Sequence, residues 1–412
     1  MERKLRVGID CRIRNSQQGI GTAVLALAKA LSESNSASQE YTFIVHDDMQ
    51  GWLAPYVYGA AKLAAVPAPA FTAVKTALYE ATKPLRSLLG NLRNTEKRAA
   101  ASDGYLERRN FDVVHFPTQV ACLTNIPSIY QPWDLQHLHY PQFFTAEEFE
   151  RREREYRAFC GRAAFVCVQA EWTRQDLIQN YGITPEKVVL VPWGPVFDAY
   201  SAPSAEDKQT ALRKYSIPQQ FFLYPAATWP HKNHEVIFRA LKVLETGSNL
   251  SPHVYFTGSS TNHRPTLDQL ARELGVSEQA HFLGFLTPEH LQAIFSEATA
   301  MIFASKFEGF GLPILEAFHA KLPVLCSNAT TLPEVAQDGA LYFDPDSPGE
   351  LAGLMKALLN APELRQDLIS KGTSLLSRYS IHDTAAGLQK LYERTAAAAP
   401  DVRRLPVSSA TV

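Results

Sequence analysis

No apolar run in this chain reaches the ~18 residues that a bilayer-spanning helix needs, so none of it reads as a membrane span. An excess of one charge sign is missing too. The chain carries 40 basic against 42 acidic side chains, which argues against nucleic acid as the main partner. Cysteine is scarce: Cys11, Cys122, Cys160, Cys167 and Cys326 are an odd number and form no Cys-x-x-Cys pair. In their apolar, strand-like or helical contexts they read as reduced structural thiols of a cytoplasmic protein. Met1-Glu2-Arg3-Lys4 runs straight into a strand pattern and leaves no room for the apolar region of a signal peptide.

What is present is a repeated strand–loop–helix rhythm. At 412 residues one ordinary core does not suffice, so two domains are expected. The strand at residues 5–10 leads through Gly19-Ile20-Gly21 into a helix over 23–31. A dinucleotide fingerprint would need a third glycine where Val24 stands, so a nicotinamide site is not expected. A phosphate approaching that helix N-terminus remains physically reasonable. Strands at 41–45, 113–116, 128–130, 164–168 and 188–191 complete a first sheet.

Residues 51–110 read as less regular and rich in alanine. Within them, residues 75–109 combine excess basic charge with leucines at helical spacing. Such a helix could rest on an anionic membrane surface or hold an anionic acceptor. A solvated helix pair packed by its apolar stripe is the weightier reading. Residues 132–141 form a polar loop leaving a buried strand end, which makes Asp134, His137 and His139 cleft candidates. His-x-His beside an aspartate could ligate a metal, but no partner cluster completes such a site, so none is expected. Pro192-Trp193-Gly194-Pro195 and the polar stretch after it, residues 201–208, read as a hinge.

The rhythm then restarts, with strands at 221–224, 254–258, 281–285, 300–304, 324–326 and 341–343. Pro230-His231-Lys232-Asn233 sits at a strand-to-helix junction, where Lys232 is placed to meet a phosphate as a point charge. The stretch Phe307-Glu308-Gly309-Phe310-Gly311-Leu312-Pro313-Ile314-Leu315-Glu316 reads as strand end, glycine loop and helix start. Gly309 and Gly311 allow a tight turn and close approach of a ligand, and Pro313 suits a first helical turn. Free amides at the helix start suit an anion or a sugar hydroxyl, while Glu308 and Glu316 can accept from hydroxyls. A buried turn with two solvated glutamates is the competing reading.

The residues quoted above resemble the retaining glycosyltransferases of family 4, and the similarity covers nearly the whole chain. Glu308 and Glu316, set in the glycine loop, look like that family's paired-glutamate signature. Leu332-Pro333-Glu334-Val335 continues the match, and Pro230-His231-Lys232-Asn233 looks like its phosphate junction. Residues 173–177, Tyr181-Gly182-Ile183 and Pro185-Glu186-Lys187-Val188 resemble the last unit of its N-terminal domain. The resemblance implies an α/β chain of the GT-B fold, with two doubly wound Rossmann-like domains facing each other across a cleft. Residues 1–198 would bind the acceptor and 199–378 the nucleotide-sugar. Residues 379–396 would form a helix packing back on the first domain, and 397–412 a disordered tail.

It further implies transfer of a hexose or deoxyhexose, mannose-like or glucose-like, from a nucleoside-diphosphate sugar to a saccharide or lipid-linked acceptor. Surface polysaccharide or glycan assembly is the implied setting. Catalytic candidates are Glu308, Lys232, Asp134 and His137. Donor-binding candidates are Gly19, Gly21, His231, Lys232, Phe310, Gly311, Leu312 and Glu316. Neither a metal nor another cofactor is implied, and nucleic acid is not an expected partner. The implied location is cytoplasmic, with peripheral membrane contact as a further option. Trp133 and His231 stand where many members have histidine and arginine, and Ala226 stands at a further basic position. Two other functions share these features: a nucleotide-sugar epimerase of similar fold, which would convert the free donor, and a non-catalytic nucleotide-sugar-binding scaffold.

Overall fold

The computed structural model describes residues 3–13, 19–34, 36–68 and 99–398. The basic stretch expected over 75–109 lies mostly outside the described residues, as does most of the expected tail. The chain divides into two compact units. One runs to Pro132 and takes in Ala146–Val166 and the chain from Gln389 onward; the other holds Trp133–Thr145 and Cys167–Leu388.

The first sheet comprises β1 (Leu5–Asp10), β2 (Gln39–His46), β3 (Ala61–Val66), β4 (Val113–Phe116), β5 (Ser128–Tyr130), β6 (Phe165–Val168) and β7 (Val188–Leu190). Its order is β3-β2-β1-β4-β5-β6-β7, and every pairing from β3 to β6 is parallel. The second comprises β8 (Phe221–Pro225), β9 (His253–Thr257), β10 (Ala280–Gly284), β11 (Ala300–Phe303), β12 (Val324–Ser327) and β13 (Ala340–Phe343). Its order is β10-β9-β8-β11-β12-β13, parallel throughout. Both sheets therefore reverse strand order once, between β1 and β4 and between β8 and β11. Those reversals are where open α/β sheets hold ligands, beyond the strand carboxyl ends.

Helices α1 (Ile20–Glu33), α2 (Ala146–Arg162) and α3 (Glu171–Tyr181) follow in the first half of the chain. The second half adds α4 (Ala205–Lys214), α5 (His234–Ser248), α6 (Arg264–Leu274) and α7 (Pro288–Glu297). After these come α8 (Leu312–His319), α9 (Leu332–Ala336), α10 (Pro348–Asn360), α11 (Pro362–Leu375) and α12 (Ile381–Ala397). Strands β4, β11 and β12 are buried at every position, as strands covered on both faces must be. Helix α5 buries Ile237, Leu241 and Leu244 at helical spacing, with Phe238 and Ala240 beside them, so one stripe faces the core. In the first unit, the Gln39 amide donates to Gln389 O and Glu393 Oε1 of α12, both at 3.0 Å. In the second, Thr384 of the same helix bonds Pro192 O at 2.9 Å and Gly194 N at 3.0 Å.

Two elements differ from the sequence expectation. β3 lies inside residues 51–110, where no regular strand was expected. Its sequence, Ala-Lys-Leu-Ala-Ala-Val, lacks the alternation that marks a half-buried strand, and pairing with β2 along its whole length defines it. Residues 132–141 are not all loop: Gln136–His139 form a helical turn, whose first amide bonds Asp134 Oδ1 at 3.0 Å. All five cysteines are free thiols, four of them buried.

Candidate functional site

At the switch point of the second sheet, the loops leaving β8 and β11 are joined side by side. The Lys306 amide donates to His231 O at 2.8 Å, and Tyr224 OH donates to Lys232 O at 2.5 Å. Asn233 takes a left-handed conformation (φ 55°) that asparagine tolerates well. Its side-chain amide donates to Ala304 O at 3.2 Å and Pro345 O at 2.7 Å. Next to it, His234 is buried among Tyr224, Phe256 and Phe282, and burial pushes its pKa down to about 3. A neutral, packed imidazole and a tethered asparagine fix the residue before them, Lys232.

Lys232 Nζ forms an ion pair with Glu308 Oε1, and both side chains are largely shielded from solvent. These two residues lie 76 apart in sequence, so the pair exists only through the switch-point topology. Glu308 opens the glycine loop. Gly311, at φ 111°, starts α8, and an added Cβ there would lie 2.9 Å from Leu332 Cδ2. A Cβ on Gly309 would lie 2.2 Å from Trp133 O and 3.0 Å from Asp134 Cβ. Only glycine fits at either position. The contact also brings Asp134 against the loop that carries Glu308. Trp133 itself sits at φ 71°, a strained conformation for a bulky residue.

The other candidates are placed as follows. Glu316 lies in the second turn of α8, only partly exposed, and burial raises its carboxyl to about 7, with His319 pulling the other way. His319 Nδ1 lies 3.2 Å from Asp198 Oδ1. Phe310 is buried, whereas Leu312 is only partly so. His231 belongs to the tight turn Pro230–Lys232. His137 is fully buried, 3.3 Å from Tyr181 OH and edge-on to Phe144. In the first unit, Gly19 caps α1 at φ 51°, and Gly21 is buried in the first turn of that helix.

His139, a cleft candidate in the sequence, bonds Asp176 Oδ1 at 2.7 Å and packs on Trp172 and Phe307. The Asp176 carboxyl is raised by burial, against the lowering effect of His139 and Asn180. Sequence reasoning did not single out Asp176, Thr330 or Thr331, and it read Thr173 only as part of a helix. The one local hint was the threonine pair just before Leu332-Pro333-Glu334, a common way to open a helix. Among the described residues no three His, Cys, Asp or Glu side chains group so as to hold a metal ion.

The family profile described as "Glycosyl transferases group 1" matches residues 207–375, and the one described as "Glycosyltransferase Family 4" matches residues 18–194. The chain is 26% identical over 266 residues to the O-antigen chain mannosyltransferase B of Escherichia coli, covering 62% of this chain and 69% of that protein. It is 25% identical over 246 residues to the O-antigen chain mannosyltransferase RfbU of Salmonella typhimurium, covering 60% and 64%. In fold it is similar to Anabaena Alr3699/HepE, solved in complex with UDP and glucose. That TM-score is 0.68, at 14% identity over 95% of this chain and all of the other. With two parallel α/β sheets of one strand order, and family matches over both halves, the chain belongs to the GT-B-fold glycosyltransferases of family 4.

Proposed function

We propose that this glycosyltransferase moves a hexose, mannose in the first instance, from a nucleoside diphosphate to a saccharide or lipid-linked acceptor during surface polysaccharide assembly. The observation that carries this reading is the Lys232–Glu308 pair at the second switch point, beside the open amides that lead into α8. The mannosyltransferases among its relatives support the choice of sugar.

In this reading Lys232 and the positive end of α8 stabilise the departing diphosphate, so no step calls on a divalent cation. Glu316 accepts from the ribose hydroxyls and Glu308 lies at the transferred sugar. The bond from the anomeric carbon to the phosphate oxygen breaks, and a bond to the acceptor oxygen forms on the same face. The acceptor proton passes to the departing phosphate oxygen, and the anomeric configuration is retained. Asp134, held against Gly309, faces the reacting sugar. His137, being buried, acts only through the segment it packs.

Thermal shifts with GDP, UDP, ADP and TDP identify the base, because ligand at about a hundred times its dissociation constant adds roughly 2.7 kcal/mol. Proton NMR of product made from the matching mannose and glucose donors then reads the anomeric configuration, with and without EDTA. Retained configuration and EDTA-resistant transfer are expected. An inverted product, or conversion of the donor sugar alone, would overturn the reading.

A further inference from the structure

Three successive carbonyls of the glycine loop are engaged by threonine hydroxyls. Thr330 Oγ1 donates to Glu308 O at 2.9 Å and accepts from Glu308 N at 3.1 Å. Thr173 Oγ1, on α3, donates to Gly309 O at 2.9 Å. Thr331 Oγ1 lies 3.0 Å from Phe310 O and 3.1 Å from Glu308 O. Thr173 and Thr331 are fully buried. Thr330 holds φ 48°, a strained value for a β-branched residue. The segment that carries Thr330 and Thr331 also sets Thr173. Glu334 accepts from the amides of Glu171 at 2.7 Å and Trp172 at 3.0 Å, which fixes the first turn of α3.

A peptide unit is planar and trans, so the carbonyl of one residue and the amide of the next point in opposite directions. Turning the carbonyls of Glu308, Gly309 and Phe310 toward the threonines therefore turns the amides of Gly309, Phe310 and Gly311 the other way. Among the described residues, those three amides make no backbone hydrogen bond. A row of N–H groups fixed in advance, next to Lys232, is what a diphosphate needs to be bound without reorganisation.

We propose that Thr173 and Thr331 are positioning residues for the transfer reaction, holding the amides of Gly309, Phe310 and Gly311 on the diphosphate of the donor. The proposal rests on the donor-site reading above. Neither hydroxyl touches substrate; both act through the loop backbone.

The test compares nucleoside diphosphate with nucleoside monophosphate (GDP with GMP, UDP with UMP) by calorimetric titration. The proteins are the full chain and its Thr331→Val, Thr173→Val, Thr331→Ser and Thr173→Ser variants. Valine keeps the shape and removes the hydroxyl; serine restores it. Each valine variant is expected to lose about tenfold in preference for diphosphate over monophosphate, and each serine variant to regain it. Valine variants that melt earlier yet keep the wild-type preference would make the threonines structural only and overturn the proposal. Should Thr331→Val not fold, the Thr173 pair decides by the same criterion. A wild-type chain that binds none of GDP, UDP, ADP and TDP would overturn the donor-site reading instead.

Discussion

The two sheets repeat one strand order, yet their switch points hold charge in opposite ways. Beyond β1, the Arg12 guanidinium bonds both oxygens of Asp10, the shortest contact being 2.6 Å, and also Asp103 at 3.0 Å. That cation is matched by two carboxylates of its own unit. Beyond β8, Lys232 has one carboxylate, Glu308, and the neighbouring loop amides have no backbone partner among the described residues. A switch point is a place that topology creates; the side chains there decide whether it has positive charge to offer an anion. At the first, two carboxylates surround the cation; at the second, one carboxylate meets it and the loop amides stand beside the pair.

The largest expected effect breaks the comparison at its stronger end. Lys232→Ala should lower transfer by about 10²–10³-fold, measured as initial rate with the donor identified by thermal shift. Arg12→Met, its counterpart, should cost about 3 kcal/mol in urea unfolding because Asp10 and Asp103 lose their shared partner. Diphosphate affinity should stay within about twofold. If Arg12→Met abolished donor binding while Lys232→Ala spared it, the two sites would have been assigned the wrong way round.

Next in size is Glu308→Gln. It should lower transfer by about a hundredfold, while nucleoside diphosphate binds as well as before or more tightly, because Glu308 and the phosphate compete for Lys232. Rate and affinity falling together would contradict that competition.

The smallest effect is a pH dependence. Burial raises Glu316 to about 7, so the folded chain holds a proton that the unfolded chain has lost. The stability this contributes is complete at acid pH and is lost as pH rises through about 7. Over the same range the carboxylate forms and becomes a better acceptor for ribose hydroxyls. Melting temperature should therefore fall between about pH 4.5 and 7, and affinity for the free nucleoside rise between about pH 6 and 8. Glu316→Gln should flatten both profiles; a variant that kept both slopes would place the titrating group elsewhere.

Much of this was legible in the sequence because its signals are local. Gly309, Gly311 and Pro313 announce a turn into a helix within five residues. Lys232 stands out at a junction opened by Pro230 and closed by Asn233. The alternation of apolar strand runs and amphipathic helices marks the second sheet and all of the first but β3. What the sequence did not disclose depends on contacts between distant residues. Thr173 meets Gly309 across 136 residues and Asp176 meets His139 across 37, so neither pairing has a local pattern. Nor does alternation reveal β3, whose alanines pack as readily in helices. His137 and His139 look alike in sequence, two residues apart, but the turn at Gln136–His139 sends one into the core and leaves the other exposed.

In the proposed mechanism the donor binds at the second switch point, on the glycine loop beside Lys232. Hydrogen–deuterium exchange followed by mass spectrometry, with and without the nucleoside diphosphate that binds, tests it most directly. Slowed exchange is expected in peptides spanning residues 305–316, abolished by Lys232→Ala. Slowing confined to peptides after β1, with residues 305–316 unchanged, would contradict it.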